Sequence, residues 1–284
     1  MKKTLSAEKQ DVRAYHDYEG AGVSLWWLGQ AGFLIRCRDI NILIDPYLSD
    51  VLAQKYKGKK FPHIRMMDTP VDMESLTDID YCISSHAHSD HMDPGLLPLL
   101  QEISPGCRFI CPDAVRATAL ERGVPGDRLI GLNAGNTLSL GTGMSLSAIP
   151  AAHEQIKTDE QGRHFFLGYI LDLDGFEIFH PGDCLPYDGF DSWLEPHKID
   201  LALLPVNGQK DELSEQGIAG NFNMKQACAI MRDHGIQYMI PQHFGMFDFN
   251  TVSRKHIADE AEASGLASRI FPAETGTVYR LYRD

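Results

Sequence analysis

From Val23 onward the chain is built of short apolar runs separated by tight polar turns. Residues 23–29, 31–37 and 41–46 read as three strands, the third following the Arg38-Asp39 turn, which predicts an antiparallel start to a buried sheet. Residues 79–85 read as a short strand running into a loop, and 95–103 as a helix with Asp93 as N-cap and Pro94 in its first turn. Strands are expected at 108–111, 129–132, 136–140 and 144–149, with a helix over 112–122 ended by Gly123. Residues 165–173 and 176–180 flank Asp174-Gly175, the strongest short-range hairpin signal. A buried strand at 199–205, an amphipathic helix at 223–234 closed by Gly235 and a strand at 238–241 follow. A helix over 254–264 and closing strands at 270–271 and 277–281 complete the pattern.

Two segments break it. Residues 1–20 are polar and predict a short helix or arm. Residues 47–75 form a loop too long for an ordinary connection, and such loops are functional or disordered. Two sheet-forming halves with interleaved helices, and no linker between them, predict one α/β (α+β) domain over residues 1–284, with 1–20 as its arm.

Composition narrows the partners. A chain of 284 residues with 43% hydrophobic content can bury a sizeable core, and its net charge of −13 argues against nucleic acid. The basic cluster Lys55, Lys57, Lys59, Lys60 and Arg65 reads first as a solvated loop, and second as a rim attracting an anionic small substrate. Cys37, Cys82, Cys107, Cys111, Cys184 and Cys228 form no Cys-x-x-Cys pair, so buried free thiols in a reducing compartment are expected. The basic Met1-Lys2-Lys3 start is followed by polar residues, with neither a signal peptide nor a membrane span, and a cytoplasmic protein is expected.

The chemistry is concentrated in His86-Ala87-His88-Ser89-Asp90-His91, of the form His-x-His-x-Asp-His. Imidazole and carboxylate are the ligands that zinc or manganese accepts, and crowding four of them without a cation would bring repulsion and desolvation with no return. One loop rarely encloses a metal pair. Three further candidates follow apolar runs, His153, Asp183 and His243, and the full set suits two ions with positions left for water and substrate. Taken singly, each of the three has a plain structural alternative: a loop histidine, a turn cap after Gly182 and a core residue beside Phe244. His16, His63, His164, His180, His197, His234 and His256 keep structural readings, with a supporting role open for His164 and His180.

The assembled pattern resembles the metallo-β-lactamase superfamily of hydrolases over nearly the whole chain. The resemblance rests on Trp27-Leu28-Gly29-Gln30-Ala31-Gly32, Ile44-Asp45-Pro46, the His-x-His-x-Asp-His loop, His153, Gly182-Asp183 and Pro241-Gln242-His243. It implies an αββα sandwich of two mixed β-sheets covered by helices. It also implies one metal held by His86, His88 and His153, another by Asp90, His91 and His243, and Asp183 bridging them. Trp26-Trp27, Leu204-Pro205-Val206-Asn207-Gly208 and Gly220-Asn221-Phe222-Asn223-Met224 are similar to the L-ascorbate-6-phosphate lactonase-like branch, which implies a cytoplasmic protein, manganese and a homo-oligomer.

Two divalent ions, manganese or zinc, would give hydroxide near neutral pH from a water bridging them, and by the resemblance Asp90 and Asp183 are the carboxylates expected at the reacting centre. No serine sits in a Gly-x-Ser-x-Gly elbow. The expected activity is hydrolysis of a small anionic ester, with a lactone such as a sugar-acid phosphate lactone favoured. The basic cluster and the Asn207-Gly208 and Asn221-to-Asn223 segments would line the pocket. A phosphodiesterase or nuclease of the same superfamily and a non-catalytic metal-binding protein are the alternatives.

Overall fold

The computed structural model describes residues 2–17 and 20–284. In chain order the strands are β1 (Lys3–Lys9), β2 (Val23–Gly29), β3 (Gly32–Cys37), β4 (Ile40–Ile44), β5 (Tyr81–Ile83), β6 (Arg108–Pro112) and β7 (Leu129–Leu132). They continue with β8 (Thr137–Gly141), β9 (Met144–Pro150), β10 (Leu167–Leu173), β11 (Phe176–His180), β12 (Leu201–Pro205), β13 (Tyr238–Gln242) and β14 (Thr277–Arg283). The helices are α1 (Val51–Lys55), α2 (Leu96–Ile103), α3 (Arg116–Glu121), α4 (Phe190–Leu194), α5 (Asp211–Ser214), α6 (Met224–Asp233) and α7 (Arg254–Ala263). No helix among the described residues is long and apolar enough to cross a membrane.

The chain divides into two compact units. The first comprises Met1–Leu132, Gly245–Phe249 and Glu274–Asp284, and the second Asn133–Phe244 and Asn250–Ala273. The first unit carries an eight-stranded sheet in the order β1-β14-β2-β3-β4-β5-β6-β7. Its β1-to-β4 half is antiparallel, and β4 to β7 run parallel. The second unit carries a six-stranded sheet, β13-β12-β11-β10-β9-β8, again antiparallel in one half and parallel in the other. Both sheets are therefore mixed, in an α/β fold.

Burial follows the apolar runs. Every residue of β2 is buried, as is every residue of β12. Each fully buried large apolar side chain in them contributes about 1.5–3 kcal/mol. The Asp174-Gly175 turn has both residues left-handed, φ 59° and 79°, as a tight hairpin requires. Asn223 and Gln226 form a reciprocal capping box that starts α6.

Expectations at both ends of the chain need correction: residues 270–271 form no strand, Ile270 making only an isolated parallel bridge to Met239. Lys3–Lys9 is a strand and not a helix: only Leu5 is buried, and the strand exists because it pairs with β14 from Lys3↔Arg283 to Lys9↔Thr277. The remaining expected arm includes positions 1, 18 and 19, which lie outside the described residues. The regular part of α2 begins at Leu96, after Gly95. Asp93 makes the bonds of a helix start, its Oδ1 accepting Gly95 N–H at 2.8 Å and its carbonyl accepting Leu97 N–H at 3.0 Å. Its Oδ2 also accepts the Leu48 and Ser49 N–H groups at 2.9 and 2.8 Å, a tie the sequence does not announce. A side chain at Gly95 would put Cβ 2.6 Å from Ser49 Cβ, so this approach requires glycine.

The 47–75 segment is ordered and tied down. The Arg65 side chain, 9% exposed, donates from Nη2 to the carbonyls of Tyr47 and Ser49 and lies over the Tyr47 ring, while Met66 N–H donates to Met246 O. Arg65 is thus a clamp within the loop and not part of a charged rim, whereas Lys55, Lys57, Lys59 and Lys60 are exposed.

All six cysteines are buried free thiols. Burial pushes Cys107, Cys111 and Cys184 up to about 12, and Cys82 well above the ordinary thiol range. At pH 8 a thiol of that acidity is thiolate in about one molecule in ten thousand. A disulfide reagent added to the native protein at pH 8 is therefore expected to label Cys228 first, because it borders a surface pocket with Lys225, Arg232 and Glu260, and the other five only on unfolding. Rapid native labelling of Cys107 or Cys184 would contradict this burial.

Candidate functional site

In the first unit the His-rich loop leaves the C-terminal end of β5, the end at which parallel strands present ligand sites. Its geometry is set from below by Asp45, at the end of β4 and fully buried. Asp45 Oδ1 accepts Ser85 N–H at 2.7 Å, and Oδ2 accepts Ser85 Oγ–H at 2.6 Å. His91 Nδ1 donates to the same Oδ2 at 2.7 Å, which fixes the tautomer and leaves Nε2 as the ligand atom. His86 Nδ1 lies 3.0 Å from Ser85 Oγ, so its Nε2 is likewise the atom presented.

Those atoms have ligand spacing. His86 Nε2 lies 3.0 Å from His88 Nδ1, and His91 Nε2 lies 3.8 Å from Asp90 Oδ2. Two ligands about 2.1 Å from a tetrahedral ion stand about 3.4 Å apart, so each pair fits a shared cation. His86 and His91 are buried, Asp90 is half-buried and His88 is exposed. Gln30 Nε2 donates to Asp90 Oδ2 at 2.9 Å.

In the second unit the three remaining candidates also follow strand ends: His153 after β9, Asp183 after β11 and His243 after β13. Asp183 Oδ2 lies 3.7 Å from His153 Nε2, and its Oδ1 lies 3.2 Å from His243 Nε2. A carboxylate with one oxygen toward each of two imidazoles has the shape of a bridging ligand. Gly182 makes the corner with φ 64°, and its N–H donates to His180 Nδ1 at 3.1 Å, which gives His180 a supporting role. The His153 ring stacks on Phe166, with centroids 4.7 Å apart and planes 15° from parallel. His243 holds a left-handed backbone, φ 60°, as do Asp45 at 46° and Gln30 at 50°. Non-glycine residues keep such conformations where the surroundings over-determine them, which is common at functional sites.

The structure thus brings His86, His88, Asp90 and His91 together in one unit, and His153, Asp183 and His243 together in the other. The other histidines go elsewhere. His164 binds the Asn133 side chain through its N–H and Nδ1, His197 pairs with Glu177 and His234 with Asp191. Cys184 is buried, its thiol donates to the Leu185 carbonyl at 3.3 Å, and among the described residues it joins none of the ligand groups. Asn207 and Asn221 bond each other, Asn207 also bonds Asn250, and Asn223 is absorbed in the cap of α6.

Two residues escaped the sequence reading as individual contributors, Asp45 and Gln30. Each is a polar residue directly after a buried, mostly apolar strand, beside a proline or within a glycine-flanked turn. That signal was available.

The imidazoles and carboxylates of each cluster, with no thiolate among them, suit a borderline divalent ion. Mixed sheets with such donors at strand ends are the make-up of a metal-binding α/β protein. Residues 40–244 match the model of the beta-lactamase superfamily domain, and the chain belongs to the metallo-β-lactamase superfamily. The UPF0173 metal-dependent hydrolase of Rubrobacter xylanophilus is 24% identical over 263 residues, 90% of this chain and 95% of its own. Two solved structures share the fold. Igni18, a metallo hydrolase from Ignicoccus hospitalis, has 20% identity and a TM-score of 0.69, covering 93% of this chain and 100% of that one. The isothiocyanate hydrolase from Delia radicum gut bacteria has 16% identity and a TM-score of 0.71, covering 90% and 98%.

Proposed function

We propose that the protein is a metal-dependent hydrolase of small anionic esters that works with two divalent ions, with a lactone as the favoured substrate. His86, His88 and His153 would hold one ion, and Asp90, His91 and His243 the other, with Asp183 between them. The observation that carries this reading is Asp183, nearly buried, with one carboxylate oxygen toward His153 and the other toward His243. Each ion would have three ligands of its own and a share of Asp183, so an ion taking five or six ligands keeps positions for water and substrate, the mark of a catalytic rather than a structural site.

When bound, the ions supply Lewis acidity and lower the pKa of water toward neutrality. The protein's own residues do the rest. Asp45 and Ser85 hold the imidazoles of His91 and His86 in single tautomers. Asp90 offers its carboxylate to the attacking water and carries a proton to the leaving group. The exposed Lys55, Lys57, Lys59 and Lys60 raise the local concentration of an anionic substrate. Free buried cysteines support a reducing compartment, and the chain's charge of −13 weighs against a nucleic-acid substrate.

A panel of lactones, a phosphodiester and an isothiocyanate, assayed with protein loaded with manganese or zinc, tests this reading. The isothiocyanate is included because a protein of the same fold hydrolyses one. Lactone turnover is expected, and His88→Ala should lower it about a hundredfold or more. His88 is exposed, so its loss should leave folding intact. No turnover with either metal, or full activity in His88→Ala, would sink the proposal.

A further inference from the structure

Gln30 lies outside the stretch matched by the family model, 40–244, and is only 2% exposed. It sits in the two-residue turn joining β2 to β3, where Gly29 pairs with Gly32. Its φ of 50° is a backbone conformation that glycine, asparagine or aspartate accepts and glutamine resists. Two hydrogen bonds mark what holds it there. The Trp27 indole N–H donates to the Gln30 carbonyl at 2.9 Å, and the Gln30 side-chain N–H donates to Asp90 Oδ2 at 2.9 Å.

The Asp45–Ser85 network reaches His86 and His91, and Gln30 supplies the corresponding bond to Asp90. Asp90 has the greater need of it. Its side chain is 17% exposed where that of His91 is fully buried, so packing alone leaves it more rotational freedom. We propose that Gln30 is a positioning residue that holds Asp90 in its ligand orientation, so that the ion assigned to Asp90, His91 and His243 binds tightly only when Gln30 is present. The inference rests on the two-ion reading above. An amide suits the task because its N–H can only donate to a carboxylate oxygen, whereas an acid here would set two carboxylates against each other.

Two substitutions separate this role from a structural one. Gln30→Gly accepts the left-handed backbone and removes the amide, while Gln30→Glu keeps the volume and replaces the donor with an acceptor. Titration of the metal-free protein with zinc alone, followed calorimetrically, reads both ions, and the visible spectrum of cobalt-loaded protein reports the coordination of each. The expected result is two ions in the wild type. In both variants one ion should be retained at wild-type affinity, the other weakened about tenfold to a hundredfold, and one cobalt signature altered. A merely structural role would weaken both ions alike, and that result would overturn the inference. So would two ions at wild-type affinity in both variants. A wild type that binds fewer than two ions would instead contradict the two-ion reading and carry this inference down with it.

Discussion

Asp183→Asn is expected to lower hydrolysis by about a thousandfold or more, equivalent to about 4 kcal/mol of transition-state stabilisation. The side chain is 9% exposed and places one oxygen 3.7 Å from His153 Nε2 and the other 3.2 Å from His243 Nε2. Asparagine keeps the shape but replaces one oxygen with a donor and removes the negative charge that two cations would share. The metal-free protein should not suffer in proportion, because a largely buried carboxylate is costly to desolvate and its neutral isostere is not. The informative readout is therefore the rise in melting temperature on adding metal, which follows from ions that bind only the folded chain. That rise should be large in the wild type and much reduced in Asp183→Asn. Equal rises in both proteins would show that Asp183 is no ligand.

The second large effect is at Asp45. Its carboxylate is fully buried and accepts from Ser85 N–H, Ser85 Oγ–H and His91 Nδ1–H. Asp45→Ala leaves those donors in a dry site and puts alanine at φ 46°, where aspartate is better tolerated. A loss of about 3–5 kcal/mol is expected, on the order of 10 °C in melting temperature. Asp45→Asn tolerates the same backbone and keeps one acceptor, so it should fold better than Asp45→Ala. It should still lose about tenfold to a hundredfold in metal affinity, because His91 is no longer held by a charge. Denaturant unfolding of the metal-free proteins and metal titration of the folded ones check the two halves separately. Wild-type metal affinity in Asp45→Asn would remove Asp45 from the support of the site.

These two residues show what a single chain discloses and what it withholds. The ligand types announce themselves, because four donors within His86 to His91 have no cheap structural use. The elements that carry them are legible where the cause is local: the mostly apolar β2, the Asp174-Gly175 turn, and α6 with its capping box. What is missed is set by distant partners. Lys3–Lys9 has the composition of a polar arm and becomes a strand only because β14 lies alongside it. Asp93 makes the bonds of a helix start that its neighbourhood suggests, but its second tie, to the Leu48 and Ser49 N–H groups, comes from far along the chain. Arg65 belongs by composition to a basic cluster, yet the carbonyls of Tyr47 and Ser49 draw it inward. Asp45 and Gln30 serve the site through other side chains, and a residue that acts through another leaves only a faint trace in its own neighbourhood.

We propose that His86, His88, Asp90, His91, His153, Asp183 and His243 together hold two ions. Elemental analysis of the protein purified without added metal tests it most directly. The account predicts about two equivalents of a divalent transition metal per chain, falling to about one when His88 is replaced by alanine. Only trace metal in the wild type, with no uptake when manganese or zinc is supplied, would contradict it.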